Sequence, residues 1–206
     1  MSDWSTIASL ATAGGTLVLA AATFASVRSA NRAARVAERS LQIGLRPVLV
    51  PARPEDPPEE IPFPERVFSL PGGQALIEID EGNVFLGIAL RNVGAGLAML
   101  IGGYIQAELA APSGDHAGLD QFKLLQRDLF VPAGGTGYWH AGIRDDHPEL
   151  RQDLVSAIGE RRRMTLELLY GDWEGNQRTI TRFGLMPRDE RGWAAVVLRH
   201  WGVDDA

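Results

Sequence analysis

The 206-residue chain has no cysteine. That removes disulfides, thiol nucleophiles and Cys-ligated zinc or iron–sulfur centres together. Lysine is nearly missing too, with Lys123 the single one, so basic charge is carried by arginine. With the high Ala and Gly content, this reads as compositional bias of the genome, not as function. Formal charge is absent from Ser5 to Val27, and Pro and Gly are absent from Val27 to Ile43. No Lys or Arg precedes the uncharged run, whose front is Met1-Ser-Asp-Trp4. A cleaved signal peptide carries a positive region there.

The uncharged run is long enough to cross a bilayer, since about 20 apolar residues at about 1.5 Å each span a hydrocarbon core of roughly 30 Å. Residues 1–27 are therefore expected to be a transmembrane anchor that meets the lipid bilayer through residues 5–27. Leu17, Val18, Leu19 and Phe24 supply much of its apolarity, and the small pair Ala11 and Gly15 favours close helix–helix approach in lipid. The positive residues come after the span, at Arg28, Arg32, Arg35 and Arg39. Because Lys and Arg stay cytoplasmic, the expected topology is single-pass in the cell membrane, N-terminus outside and C-terminal domain cytoplasmic. Trp4 suits the far interface. The alternative for the run is an Ala-rich helix buried in a soluble bundle.

Residues 28–46 read as a basic stalk helix continuing the span. At about 100° per residue, Arg28, Arg32, Arg35, Arg39 and Arg46 fall in one stripe roughly 60° wide. Ala30, Ala34, Ala37 and Leu41 line the opposite side. The stripe is either a solvated back, with the Ala/Leu face packed on the tethered domain or a second helix, or a holder of anionic lipid or an acidic partner. Upright, the helix puts Arg39 about 17 Å beyond Arg28, farther than a Debye length of about 10 Å. Packing or pairing thus explains the whole stripe better than lipid does.

Residues 47–206 form one β-sandwich domain, enough chain for its own core. Charge is split: residues 1–46 carry net +3 and the remainder −9, which leaves the −6 of the chain. An acidic main domain argues against nucleic acid, whose binding needs a basic footprint.

Arg46-Pro47 ends the helix, because proline pushes the residue before it out of helical backbone. Pro47–Val50 reads as a first strand and Pro51–Glu65, with six prolines and five acids, as an acidic loop unable to pair in a sheet. Strand and turn signals then alternate. Asp80-Glu-Gly-Asn83 marks one hairpin and Gly171-Asp-Trp-Glu-Gly-Asn176 another. Gly102-Gly103 suits a bulge, and Gly134-Gly135-Thr136-Gly137 reads as a hairpin turn. Asp146 caps a helix His147–Gly159 with Pro148 at its first position. Trp193–Trp201 is a final strand or helix. Seven to nine short strands with one helix point to a mainly β fold: an antiparallel immunoglobulin-like β-sandwich behind a long N-terminal helix.

A resemblance rests on the order of three motifs: Gly44-Leu-Arg-Pro-Val-Leu-Val50 after a single span and basic helix, Leu90-Arg-Asn-Val-Gly-Ala-Gly96, and Tyr170-Gly-Asp-Trp-Glu-Gly-Asn176 with Thr181 and Phe183. The chain resembles uncharacterised bacterial single-span membrane-anchored proteins with a β-sandwich soluble domain. The likeness implies fold and topology, and transfers no catalytic residue.

Motifs for chemistry are sparse. Gly94-Ala-Gly96 has Met99 where a dinucleotide fingerprint needs its third glycine, so it reads as a turn. His140, Asp145, Asp146 and His147 are the densest titratable group and would serve a metal-dependent hydrolase if they converged. Otherwise Asp145 to Pro148 is a helix start. Glu160-Arg-Arg-Arg163 is a helix-end charge cluster or, through Arg161, Arg162 and Arg163, a docking site. Tyr138, Trp139, Tyr170, Trp173 and Trp193 read as core aromatics.

The functional expectation is a non-enzymatic, membrane-anchored interaction module. It has no cofactor or metal, and its sandwich binds a protein partner at the cytoplasmic face, or the stalk helix self-associates. Interaction is assigned to Arg28, Arg32, Arg35, Arg39, Arg161, Arg162 and Arg163. The alternatives are the hydrolase and an accessory subunit of a membrane assembly.

Overall fold

A computed structural model describes residues 3–111, 113–175, 177–189 and 192–203, without the side chains of residues 5, 6, 11, 39, 42 and 43. The chain divides at Leu45 into a helix and a β domain.

The helix, α1 (Asp3–Gly44), runs 42 residues without a break. Its two interior glycines, Gly14 and Gly15, are tolerated inside a helix that has nothing else to stop it before its end at Gly44. The hydroxyls of Thr12, Thr16 and Thr23 donate back to the carbonyls of Ala8, Thr12 and Leu19, so each polar group is satisfied within the helix. Within α1 the segment Ile7–Glu38 is long and apolar enough to cross a membrane, with a mean hydropathy of 1.7 in its best window. The helix stops at Gly44, two residues before the expected end. Arg46 is extended by Pro47 and leaves the arginine stripe; its Nε donates to Thr179 Oγ1 in the β domain (3.3 Å).

The β domain holds β1 (Leu49–Pro51), β2 (Glu59–Pro62), β3 (Val67–Leu70), β4 (Ala75–Asp80), β5 (Asn83–Asn92), β6 (Ala98–Gln106), β7 (Lys123–Val131) and β8 (Thr136–Ile143). After the helix α2 (Pro148–Gly159) come β9 (Met164–Gly171), β10 (Thr179–Arg188) and β11 (Gly192–Gly202). Every pairing is antiparallel. In one layer β5 lies between β8 and the pair β4 and β1; in the other the order is β11-β10-β9-β6-β7. A single pairing, Trp193 with Ala75, joins them at one corner. The fold is mainly β with a long N-terminal helix and one short helix, as the strand spacing predicts.

Alternation explains the layers. Val84, Leu86, Ile88 and Leu90 of β5 face Met164, Leu166, Leu168 and Tyr170 of β9 across one buried core, which Leu154 and Ala157 of α2 also join. On the outer face of β5, Phe85 and Ala89 are covered by Ile61, Phe63 and Leu70 of the β2–β3 hairpin. This hairpin corrects the expectation that Pro51–Glu65 cannot pair. Phe63 N–H donates to Arg66 O, so alternation turns Pro62 away from its partner strand, where a missing N–H costs nothing. β4 and β5 meet through Glu81 and Gly82, both with positive φ (49° and 81°), as a two-residue turn demands. The β6 register shifts between Leu100 and Gly102, beside the predicted glycine pair. The segment from Pro132 to Gly135 is no hairpin: β7 pairs with β6 and β8 with β5, so the turn carries the chain between layers. α2 is capped by His147, not Asp146, and without a side-chain hydrogen bond. Trp173 stands 74 % exposed at the β9–β10 tip, whereas Trp139, Tyr170 and Trp193 are core.

The end where the chain arrives from α1 is organised by Asn92, which has no exposed surface. Its Oδ1 accepts from the backbone N–H groups of Val48 (3.1 Å) and Gly94 (3.0 Å), and its Nδ2 donates to the carbonyls of Gly96 (2.7 Å) and Val131 (3.1 Å). Its own backbone bonds Gly134 and Gly135. The side chain thereby ties Val48, the turn 93–96 and Val131, and the backbone of the same residue ties the turn 132–135. A Cβ on Gly96 would lie 1.7 Å from Leu45 O, so only glycine admits this approach. Behind it, Leu49 N–H donates to Tyr170 Oη, which bonds Thr181 Oγ1, which bonds His200 Nδ1. Burial pushes the Tyr170 phenol up in pKa, keeping it a neutral bridge.

Asn92→Asp replaces two buried donors with a buried charge and is expected to cost about 3 kcal/mol, the scale of a broken buried network. Urea unfolding of the full chain in detergent checks this. An unchanged midpoint would show that the three segments are held by something else.

Candidate functional site

Four places hold enough charge or concavity to be sites. On α1, Arg28, Arg32 and Arg35 are exposed along one stripe, and no ion pair is found for them among the described residues. The Arg39 side chain and the Ala11 side chain lie outside the described residues. Like charges three and four residues apart repel, so the stripe is a source of positive potential.

The cluster at the end of α2 turns mostly inward. Arg161 takes a left-handed backbone (φ 52°) and its Nη2 donates to the carbonyls of Arg188 (3.2 Å), Asp189 (2.7 Å) and Gly192 (3.2 Å). Its guanidinium also sits 5.5 Å from the Trp193 ring centre. Arg162 pairs with Glu160 at 2.9 Å and reaches the Ala107 carbonyl. These two fasten the β10–β11 turn and the end of β6. Arg163 alone stays exposed. The expected docking set is reduced accordingly, because its donors are spent on the domain's own carbonyls.

His140, Asp145, Asp146 and His147 do not converge. Among the described residues no three His, Asp or Glu side chains come together as metal ligands would. Asp145 pairs with Arg151 (2.9 Å), and Asp146 receives Lys123 (3.5 Å) with His147 at 3.7 Å. His140 Nε2 accepts from Arg127 Nη2 (2.9 Å), and the ring lies edge-on to Phe63 at 4.8 Å. Lys123 and Arg127 both project from β7, the outer strand of its layer, towards residues of the opposite layer. The cluster therefore closes the open side of the sandwich, and inward-pointing cations also discourage edge-to-edge pairing. Burial, and then the Arg127 charge, lower the His140 pKa from 6.5 to about 4.

Sequence reasoning passed over a fourth place. On the outer face of β9 and β10, Glu167 (1 % exposed) and Arg182 (2 % exposed) form a buried ion pair. Arg182 Nε and Nη2 donate to Glu167 Oε1 at 2.7 and 2.6 Å. Its remaining N–H groups take the carbonyls of Ala111, Gly114 and Asp115, while Ala117 N–H donates to Glu167 Oε2. The guanidinium stacks 4.8 Å from the Trp201 ring centre. This pair straps the β6–β7 connection onto the sheet and leaves a cleft of about 310 Å³ lined by Tyr104, Gln106, His116 and Gln121. The signal was present as lone charges inside the apolar runs Met164-Thr-Leu-Glu-Leu168 and Ile180-Thr-Arg-Phe183, which neighbouring strands align as Glu167 opposite Arg182. His116 Nδ1 is held by the Ala117 carbonyl, and the Tyr104 hydroxyl accepts from Gln106 Nε2 (2.9 Å). The cleft has room for a small polar molecule, and among its described lining residues there is no serine or threonine.

No protein-family model and no curated protein matches this sequence. Among solved structures, the chain is similar to a protein from Archaeoglobus fulgidus with 10% identity, over 63% of this chain and 94% of that one, at a TM-score of 0.26. So slight a likeness bears on neither fold nor function.

Two outcomes are expected. Arg182→Leu strands a buried carboxylate and should cost about 3–5 kcal/mol, whereas Glu167→Leu combined with Arg182→Leu should be milder. Urea midpoints of both variants check this, and equal losses would contradict it. His140 has a lower pKa folded than unfolded, so the unfolded chain binds its proton first as pH drops. The stability tied to neutral His140 is complete above about 6.5 and is lost as pH falls towards about 4. His140→Phe should flatten stability against pH in that window by up to one proton, and parallel curves for variant and parent would refute the assignment.

Proposed function

We propose that this chain is a single-pass membrane protein whose β domain is a non-enzymatic interaction module, tethered at the cytoplasmic face with the N-terminus outside. The observation that carries the reading is α1: one continuous helix that carries no formal charge from Ser5 to Val27, and whose basic part begins with Arg28. An unpartnered apolar helix of this length is costly in water and suited to lipid. The back-bonded Thr12, Thr16 and Thr23 hydroxyls fit the same setting, since none is left unsatisfied in hydrocarbon. The arginines that follow give the orientation. The immunoglobulin-like character expected from strand spacing belongs to this reading, supported by two antiparallel layers over one core.

Self-association of α1 is part of the proposal. Positions Ala13, Thr16, Ala20, Thr23, Val27, Ala30, Ala34, Ala37 and Leu41 recur in alternating steps of three and four, the spacing of a coiled-coil seam. Arg28, Arg32, Arg35 and Arg39 all fall at two of the three positions of that repeat farthest from the seam. Leu10, Leu17, Leu19 and Phe24 lie off it as well, where lipid would meet them. A paired helix leaves the arginines outside for an acidic partner. The hydrolase reading requires convergence of four side chains, whereas Asp145 pairs with Arg151, His140 bonds Arg127, and Asp146 contacts both Lys123 and His147. An accessory-subunit role stays compatible with this reading, as one use of such a module.

Membrane fractionation with a carbonate wash tests the anchor. The parent should stay in the pellet, and Leu17→Asp with Leu19→Asp, each costing about 3 kcal/mol at mid-bilayer, should release the chain. Recovery of the parent in the soluble fraction would overturn the proposal.

A further inference from the structure

Tyr104, Glu167, Arg182 and Arg199 stand side by side on β6, β9, β10 and β11, in one row across the outer face of their layer. The β6–β7 connection passes over that row and is strapped to it by Arg182. Between the two lies the cleft of about 310 Å³, near the lower end of the roughly 300–1,000 Å³ typical of small-molecule sites. Tyr104, Gln106, Glu167 and Arg182 line it from the sheet, and Asp115, His116 and Gln121 line it from the connection.

What the cleft can bind follows from which of its hydrogen-bonding groups are already spent. A guanidinium has five N–H bonds, and Arg182 uses them on Glu167 and on the carbonyls of Ala111, Gly114 and Asp115. The described lining residues include no other arginine and no lysine, so nothing is left to hold a phosphate or a carboxylate. The half-buried Tyr104 hydroxyl accepts from Gln106 Nε2 (2.9 Å), which leaves its own hydrogen and Gln106 Oε1 to spare. Gln121 Oε1 accepts from the Gly118 N–H (2.9 Å), which leaves its amide hydrogens. A carbonyl only accepts, so His116 Nδ1 carries the proton that it gives to Ala117 O (2.7 Å), and Nε2 is a bare acceptor. The His116 ring is propped edge-on against Trp201 at 5.6 Å, and Trp201 packs on the Arg182 guanidinium. Two donors and two acceptors therefore share one cleft. Bonds made within the protein already hold all four side chains, so little rotamer freedom is lost on binding.

We propose that this cleft binds a small neutral polyol, the size of one sugar ring or less. A hydroxyl both donates and accepts, so neighbouring hydroxyls on one skeleton answer Tyr104 and Gln121 as acceptors and Gln106 and His116 as donors. An ammonium ion only donates, and would leave the hydrogens of Tyr104 and Gln121 unanswered. An anion only accepts, and would meet the lone pairs of Gln106 and His116 beside the negative charge of Asp115. The site lies wholly within the β domain, so it stands whether or not the reading of α1 does.

The test uses the full chain in a detergent without a sugar headgroup, with nitrogen-labelled glutamine side chains observed by NMR. Glycerol, myo-inositol, glucose and galactose are added singly, up to about ten times a millimolar Kd. Inorganic phosphate and tetramethylammonium serve as the anion and the cation. At least one polyol should shift the side-chain amide signals of Gln106 and Gln121 and leave that of Gln126, exposed on β7 and outside the cleft lining. Gln106→Leu and Gln121→Leu should each weaken binding about threefold to tenfold, the worth of one lost hydrogen bond, and Gln126→Leu should not. Shifts of the two cleft signals by phosphate or tetramethylammonium as large as any polyol's would overturn the class of ligand. No shift from any probe, or a polyol that binds the parent and both cleft variants alike, would overturn the site.

Discussion

The fold depends on one amide. Asn92 is fully buried and spends every donor and acceptor on backbone groups of three separate segments. An amide can do this because it offers two donors and two acceptor sites in one plane; an aspartate loses the donors and a leucine loses everything. Loops at the end of a sandwich expose their backbone to water and fray unless it is bonded. Here they are bonded, so the residues that open the β domain are held to its turns. Gly96 and Gly94 belong to the same device, since their missing side chains let the turn close over Leu45 and Arg46.

The charged residues divide by a similar logic. Arg161, Arg162 and Arg182 serve the domain itself, as donors to carbonyls that would otherwise be stranded at strand ends and in the β6–β7 connection, and Arg46 donates to the Thr179 hydroxyl. Arginine suits this work, with five N–H groups held in a plane and a charge that no accessible pH removes. The arginines of α1 have no such task among the described residues. A surface charge costs little to keep and contributes little alone, so a row of like charges on one helix face is better explained by what lies outside the chain than by stability.

Much of the fold was legible in the sequence, for physical reasons that can be named. Asp80-Glu-Gly-Asn83 announces a two-residue turn because only residues tolerant of positive φ fit it, and Pro47 announces the helix end because of its ring. The sheet order was not legible: β4 follows β3 in sequence yet lies beside β11, and such long-range pairing is decided by the core, not by local signals. Pro62 misled because a proline forbids one hydrogen bond, and the register of β2 happens to ask for none there. The candidate chemistry misled more. His140 to His147 look like a site because titratable residues crowd together in sequence, but strand alternation and the helix start send His140, Asp145 and Asp146 to different partners: Arg127, Arg151 and Lys123. Conversely, Glu167 and Arg182 stand 15 residues apart and meet only because β9 and β10 pair. The arginine stripe and the apolar run were legible because a helix is a local structure, and its faces follow from spacing alone.

The most direct measurement is the sidedness of the two ends of the chain. Since it carries no cysteine, a single Asp3→Cys and a single Asp120→Cys can each be challenged with a membrane-impermeant maleimide on intact cells. The account predicts labelling of position 3 from outside, and of position 120 only after the membrane is opened. Labelling of position 120 on intact cells, or protection of position 3, would contradict the tethered cytoplasmic domain on which the account stands.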